Sequence, residues 1–365
     1  MRIFVPSAAA LLTDRAGHGE GLIAWNVLSG LAARGHELTV CAREVALDAE
    51  PPFRLVRIGR RSRFESIEPL AYAHAVAAEL ERTRAAGGVD VVHWLYPAEP
   101  EQTVFAPPTG IPFVLGPVFR PWTNGRGRPF RAGDAVRLAL APVERVRRRT
   151  ALGAATLLLA TPDAAPAGTV VPPGVDLSRF EPRPPAGETV LFLGRLTEAK
   201  GVRELVEAFT RVAAERPGAR LVLAGEGPEA PWVERRAAEL GIAGRVHLAG
   251  AVAQADVPRL LAESALFCLP SHGEPYGMVL LEAMAAGRAV VATDSGGPRF
   301  VVPDGGGRLV PVGDRSALAD ALGALLADPD ALAAMGRRNR EHAERELSLE
   351  RMLDRLEEVY AGVTR

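Results

Sequence analysis

Two runs of alternating strand and helix patterns, separated by a proline-rich stretch, constrain this 365-residue chain more than any other feature. In the first run, apolar segments at 2–6, 37–42, 89–94 and 111–115 read as strands, and 20–33 and 67–86 read as helices. Leu22, Ile23, Val27, Leu28 and Leu31 recur at helical spacing, and Gly35 supplies a C-terminal stop. Residues 161–187 then carry Pro162, Pro166, Pro172, Pro173, Pro182, Pro184 and Pro185, a density that suits a domain boundary. The second run has strands at 189–193, 220–224, 246–249, 265–269 and 289–293. Helix patterns at 201–216, 231–240, 255–263 and 276–286 lie between them, and the tail from 315 is helical. Such alternation specifies α/β architecture with parallel, doubly wound sheets. The expectation is two Rossmann-like domains, 1–168 and 169–348, with a helix over 349–365 placed to pack back on the first. Ligands bind in such folds outside the carboxyl ends of the strands, so the turns at those ends are where chemistry is expected.

Charge and cysteine content exclude several alternatives. The formal net charge is −1, which gives no bulk attraction to nucleic acid. Cys41 and Cys268 are far apart and flanked by apolar residues, so they form neither a disulfide framework nor a metal cluster and suit a reducing compartment. No apolar run approaches the ~20 residues needed to span a bilayer. The apolar start runs through Pro6 into a glycine-containing turn and reads as a strand, not a signal, so a cytoplasmic location is expected. Of the 43 lysines and arginines, Lys200 is the only lysine. An arginine excess of this kind fits a GC-rich coding bias. A lysine at a single position therefore asks for a local reason.

Two strand–turn–helix stretches carry candidate chemistry. The first runs from Ser271 through His272, Gly273, Glu274, Pro275, Tyr276 and Gly277 into a helix containing Glu282. Its glycines let the backbone approach a ligand closely, and the unpaired N–H groups of the helix start suit a diphosphate. Glu274 and Glu282 are placed to accept hydrogen bonds from sugar and ribose hydroxyls. A helix-capping carboxylate with a solvated helix face explains the same residues equally well. The second stretch is Gly194-Arg195-Leu196-Thr197-Glu198-Ala199-Lys200-Gly201. Arg195 offers a bidentate donor for phosphate oxygens and Lys200 a point charge, although both also read as ordinary surface bases.

Together with Gly225-Glu226-Gly227-Pro228, Gly35-His36, Pro173-Gly174-Val175-Asp176 and Asp294-Ser295-Gly296-Gly297, these stretches resemble glycosyltransferase family 4, most specifically between 172 and 313. The resemblance implies a retaining glycosyltransferase of the GT-B fold, two Rossmann-like domains facing across a cleft. It implies a nucleoside-diphosphate sugar as donor substrate, no cofactor, no metal, and a small-molecule or lipid-linked acceptor. Arg195 and Lys200, beside Gly194 and Gly225, would bind the diphosphate, and Glu282 the ribose. Glu274 and the backbone of Tyr276, Gly277, Met278 and Val279 would hold the transferred sugar. Gly19 would let the first domain close on the diphosphate, and the loop at Ala251 and Val252 would face the base.

The pattern is not met everywhere. Pro173 stands where relatives carry Asn, Phe300 where they carry Glu, and His18-Gly19 where they carry two glycines. A histidine expected after the fourth strand is replaced by Gly116-Pro117-Val118, which leaves His93 as the candidate on the acceptor side, against a plain structural role. Asp328-Pro329-Asp330 mimics a metal-binding Asp-x-Asp but falls between helix patterns and reads as a connector. Residues 120–149 hold nine arginines against Asp134 and Glu144, with Phe119, Trp122 and Phe130 interleaved. That segment reads either as a solvated arginine-rich helix or as a peripheral contact with an anionic inner membrane face. A second enzymatic reading, a GT-B-fold nucleotide-sugar epimerase, needs acid–base residues on both sides of the sugar, and the first domain offers few carboxylates for it.

Overall fold

A computed structural model describes residues 1–15, 19–59, 67–96, 105–119, 134–185 and 187–365, with 134–141 as backbone only. Two compact units divide the chain. One takes the described residues up to Pro173 together with Leu349–Arg365, and the other takes Gly174–Ser348.

The first unit runs β1 (Arg2–Val5), β2 (Leu11–Thr13), α1 (Gly19–Ala33), β3 (Glu37–Ala42), β4 (Glu44–Ala46), β5 (Arg54–Arg57), α2 (Glu68–Gly87), β6 (Val91–Trp94), β7 (Phe113–Val118), α3 (Asp134–Ala154), β8 (Ala155–Leu159) and β9 (Thr169–Val170). Its main sheet has the order β5-β3-β1-β6-β7-β8-β9, with parallel pairing throughout. The central strands are apolar along their length because both faces are covered: Phe4, Val40, Val91 and Val92 are fully buried. β5 reads Arg-Leu-Val-Arg, with exposed charges at both ends, and forms an edge. β9 pairs with β8, so the chain leaves this unit at Pro173, later than the boundary placed after 168.

The second unit runs β10 (Thr189–Leu193), α4 (Val202–Glu215), β11 (Arg220–Ala224), α5 (Ala230–Glu239), β12 (Val246–Gly250), α6 (Val257–Ala262), β13 (Leu266–Leu269), α7 (Met278–Ala285), β14 (Ala289–Thr293), α8 (Gly297–Val301), β15 (Gly307–Val310), α9 (Arg315–Leu326) and α10 (Pro329–Glu346). The sheet order is β12-β11-β10-β13-β14-β15, again parallel. α4 buries Leu205, Val206, Phe209 and Val212, the apolar stripe that its spacing specifies. Asp314 and Asp328 cap α9 and α10 by accepting from the amides of Ala317 and Ala331, both at 2.9 Å. Asp328-Pro329-Asp330 is thus a helix start.

A last helix, α11 (Leu349–Val363), belongs to the first unit. Met352, Leu353, Leu356 and Tyr360 are its buried face. Gly30 on α1 faces Leu353, whose Cδ1 would lie 2.6 Å from a β-carbon there. Just beyond α1, Arg34 pairs with Asp354 and Glu357 at 2.9 and 2.8 Å, and His36 Nε2 sits 2.7 Å from the same Glu357. His36 and Arg34 together hold the Glu357 carboxyl below the usual range.

Candidate active site

The carboxyl ends of the second sheet are stitched together by backbone hydrogen bonds that follow the strand order. Gly225 N donates to Gly250 O at 2.8 Å, joining the ends of β11 and β12. Gly194 N donates to Ala224 O at 2.9 Å and Leu196 N to Glu226 O at 2.8 Å, joining β10 to β11. His272 N donates to Ala199 O at 2.9 Å, joining β13 to β10, and Gly297 N to Glu274 O at 2.8 Å, joining β14 to β13. Two glycines make these approaches possible. Gly225 has φ +137° and Gly201 φ +67°, and a β-carbon on either would lie 1.9 Å from a carbonyl oxygen, of Gly194 and of Pro270 respectively.

On this rim stand the charges expected from the sequence. Lys200 ends a single 3₁₀ turn, Glu198–Lys200, before the left-handed Gly201. Its Nζ donates to Glu274 Oε2 at 2.7 Å, and Ser271 Oγ donates to the same oxygen at 3.4 Å. The Glu274 side chain is only 9% exposed and that of Lys200 21%. Arg195 is exposed, and among the described residues its guanidinium makes no hydrogen bond or ion pair. Glu274 leads through buried Tyr276 and left-handed Gly277 into α7, whose start no side chain caps. The amides of Met278 and Val279 therefore present the positive end of the helix.

Glu282 lies one turn into α7, half-buried. Gln254 Nε2 donates to its Oε1 at 2.9 Å. Burial raises the Glu282 pKa, while the Gln254 hydrogen bond and the Arg179 charge oppose that rise. Val252 is half-buried on the loop between β12 and α6 that also carries Gln254. The structure thus gathers Gly194, Arg195, Lys200, Gly225, Glu274, Tyr276, Gly277, Met278 and Val279, with Glu282 and Val252, on adjoining loops and one helix start. Two cations, open amides and two carboxylates in such an arrangement can bind a polyanion carrying hydroxyl groups. Sequence reasoning passed over Gln254 and Arg179. The signal for Gln254 was its place in a strand-end loop, and for Arg179 none was visible.

The first unit places its two candidates separately. Gly19 is the exposed first residue of α1, and His18 lies outside the described residues. His93 is 1% exposed, with Nδ1 2.5 Å from Tyr360 Oη and Nε2 2.9 Å from Gly116 O. A carbonyl only accepts, so Nε2 carries the proton, Nδ1 accepts from the tyrosine, and the ring is neutral. Desolvation lowers its pKa to about 4. Both ring nitrogens are used by the protein, which makes His93 a buried strut and corrects the acceptor-side role considered from the sequence.

Of the arginine-rich segment, 120–133 lies outside the described residues. Further along α3, Val143 and Val146 are 49% and 65% exposed beside exposed Arg145, Arg147 and Arg149. Glu144 is buried and accepts from Arg148 Nη2 at 3.1 Å. Among the described residues, no helix is long and apolar enough to cross a membrane, and no group of three or more His, Cys, Asp or Glu could hold a metal ion.

Comparison with known proteins bears on family and fold. The family model described as "Glycosyl transferases group 1" matches residues 176–342. The phosphatidyl-myo-inositol mannosyltransferase of Mycobacterium leprae is 31% identical over 314 residues, 81% of this chain and 80% of that protein. The D-inositol 3-phosphate glycosyltransferase of Nocardia farcinica is 37% identical over 193 residues, 48% of this chain and 43% of that protein. Among solved structures, a sucrose-phosphate synthase from Thermosynechococcus elongatus superposes with a TM-score of 0.72 at 21% identity, covering 99% of this chain and 98% of that one. Anabaena Alr3699/HepE in complex with UDP-glucose gives a TM-score of 0.70 at 18% identity, covering 99% and 100%. With four-fifths of the mannosyltransferase matched and the GT-B fold shared, the chain belongs to the group 1 glycosyl transferases, the family 4 type, and is a glycosyltransferase.

Proposed function

We propose that this glycosyltransferase takes its sugar from a nucleoside diphosphate and transfers it, with retention at the anomeric carbon, to a hydroxyl of a small polyol or lipid-linked acceptor. The observation that carries this reading is the Lys200–Glu274 pair beside the unpaired Arg195 and the uncapped start of α7. Arg195 and Lys200 meet the diphosphate at the positive end of α7, and the backbone of Tyr276 to Val279 holds the transferred sugar. Glu274 accepts from the sugar hydroxyls and Glu282 from the ribose. Val252 and its loop face the base.

As the bond from the anomeric carbon to phosphate oxygen breaks, negative charge grows on the leaving diphosphate. Fixed cations there favour the transition state over the ground state. The acceptor oxygen attacks from the face the diphosphate leaves, and its proton passes to a phosphate oxygen. No protein nucleophile or metal ion is needed, because Arg195, Lys200 and the helix start already neutralise the diphosphate.

Several similarities support the reading. Anabaena Alr3699/HepE was solved with UDP and UDP-glucose. The names of two relatives place inositol in their substrates, which favours a polyol acceptor here. Exposed Val143 and Val146 among arginines on α3 suit peripheral contact through 120–149 with an anionic membrane on the cytoplasmic side. Membership of a glycosyltransferase family decides against the epimerase alternative.

The test is a thermal-shift screen of UDP, GDP, ADP and their sugars, followed by product analysis with inositol and phosphatidylinositol as acceptors. A ligand that binds only the folded state raises the melting temperature according to its affinity. One nucleoside diphosphate and its sugar should stand out, and no shift with any of them would overturn the reading.

A further inference from the structure

Glu282 does not stand alone on α7. Gln254 Nε2 donates to its Oε1 at 2.9 Å, and the Gln254 carbonyl oxygen accepts from Arg179 Nη2 at 2.6 Å. Arg179 ends the short 3₁₀ turn Leu177–Arg179 that follows Asp176, and that turn is fixed because Asp176 caps it through the amide of Ser178 at 3.0 Å. The chain of contacts therefore runs from the turn after the interunit crossing to the loop after β12, and from there to the carboxylate on α7. All three residues belong to the second unit.

We propose that Gln254 and Arg179 are positioning residues that set the plane of the Glu282 carboxylate so that it recognises the vicinal diol of a ribose. The inference rests on the reading of Glu282 as the ribose acceptor. A terminal carboxylate turns about a broad, soft torsion, so its orientation must be imposed from outside. The Gln254 amide occupies one lone pair of Oε1. Oε2, and the second lone pair of Oε1, receive no hydrogen bond from the described residues. Those acceptor sites match two adjacent hydroxyls and do not match a deoxyribose. The Arg179 bond holds the Gln254 backbone in place, and its positive charge also opposes the rise that burial imposes on the Glu282 pKa.

The test measures dissociation constants by calorimetry for UDP, GDP and ADP, each against its 2′-deoxy counterpart. The proteins are the wild type, Glu282→Ala, Gln254→Leu and Arg179→Leu. The wild type should prefer the ribonucleotide by about tenfold to a hundredfold, the worth of a hydrogen bond to a charged acceptor. Glu282→Ala should abolish the preference. Gln254→Leu and Arg179→Leu should each reduce it at least about threefold, while binding of the deoxynucleotide stays within about twofold of wild type. That unchanged deoxynucleotide affinity separates a lost orientation from a damaged fold. Should Gln254→Leu fail to fold, Gln254→Ala and Arg179→Leu carry the same readout.

A wild type that binds none of the three nucleotides, or binds the ribose and deoxyribose forms equally, would overturn the ribose reading and this inference with it. Discrimination lost in Glu282→Ala but retained in both Gln254→Leu and Arg179→Leu would leave the ribose reading standing and overturn the positioning role alone.

Discussion

Lys200 and Glu274, 74 residues apart in sequence, meet with Nζ 2.7 Å from Oε2 and so tie the turn after β10 to the turn after β13. With Glu274 9% and Lys200 21% exposed, the cost of desolvating both groups offsets much of their attraction, so the pair is weak evidence for stability. Its value is positional. Glu274 is held for a hydroxyl, and Lys200 is held with its positive charge at the strand-end rim.

Lys200→Ala should therefore lower turnover by roughly 10²–10³ at temperatures well below its own melting transition, beyond what the loss of the Glu274 partner takes from stability. Steady-state kinetics beside a thermal melt separate the two effects. Near-normal turnover would remove Lys200 from the diphosphate site.

Gly225→Ala should cost ~2 kcal/mol or more, because φ +137° and the Gly194 carbonyl at 1.9 Å both oppose a side chain. Gly244→Ala, where a β-carbon meets open space, should stay within ~0.5 kcal/mol. Urea unfolding of both variants makes the comparison. Equal effects would mean that the rim yields more readily than its hydrogen bonds imply.

Much of this rim was legible from the chain, and the reason is local. β10, β11 and β14 coincide with their apolar segments because buried parallel strands read as uninterrupted apolar runs. The turns that follow them are marked by glycine. The missed strands lack those signals. β5 is charged at both ends, β8 follows α3 with no breaker between them, and β15 opens on glycine with exposed side chains. Glu274 and Glu282 carried an ambiguous signal alone, since a capping carboxylate looks the same in sequence. Their partners Lys200 and Gln254 come from other loops, and only the fold reveals such pairings. His93 misled for the same reason: its partner Tyr360 is 267 residues away.

Chelation should leave transfer intact if the cations of the rim are sufficient. Activity measured after exhaustive EDTA treatment and dialysis is expected to match the untreated enzyme. A full loss restored by Mg²⁺ or Mn²⁺ would place a metal ion in the reaction.

Acid should destabilise the first unit through His93. Its folded pKa is about 4, against an ordinary 6.5. The unfolded chain takes up the proton first, so the stability present above pH 6.5 falls as the pH drops and levels off below 4. The total is roughly 3 kcal/mol. His93→Gln removes this titration, and its denaturation midpoint should fall less than that of the wild type between pH 7.5 and 4.5. Parallel losses in the two proteins would show that other groups govern the acid limb.

Membrane contact through 120–149 should depend on salt. Cosedimentation with anionic vesicles is expected to strengthen as ionic strength falls and to vanish on neutral lipid. Absence of binding at every salt concentration would retire the patch.

The packing of α11 on α1 has a consequence for how the protein is made. Gly174–Ser348 is an uninterrupted stretch and emerges whole from the ribosome, so it can complete its fold during synthesis. The first unit cannot. The buried face of α11, with Leu353 at Gly30 of α1 and Tyr360 at His93, is translated only after the entire second unit. Until then the earlier-born half lacks the cover of that apolar surface, and uncovered apolar surface of this kind is what favours aggregation during synthesis.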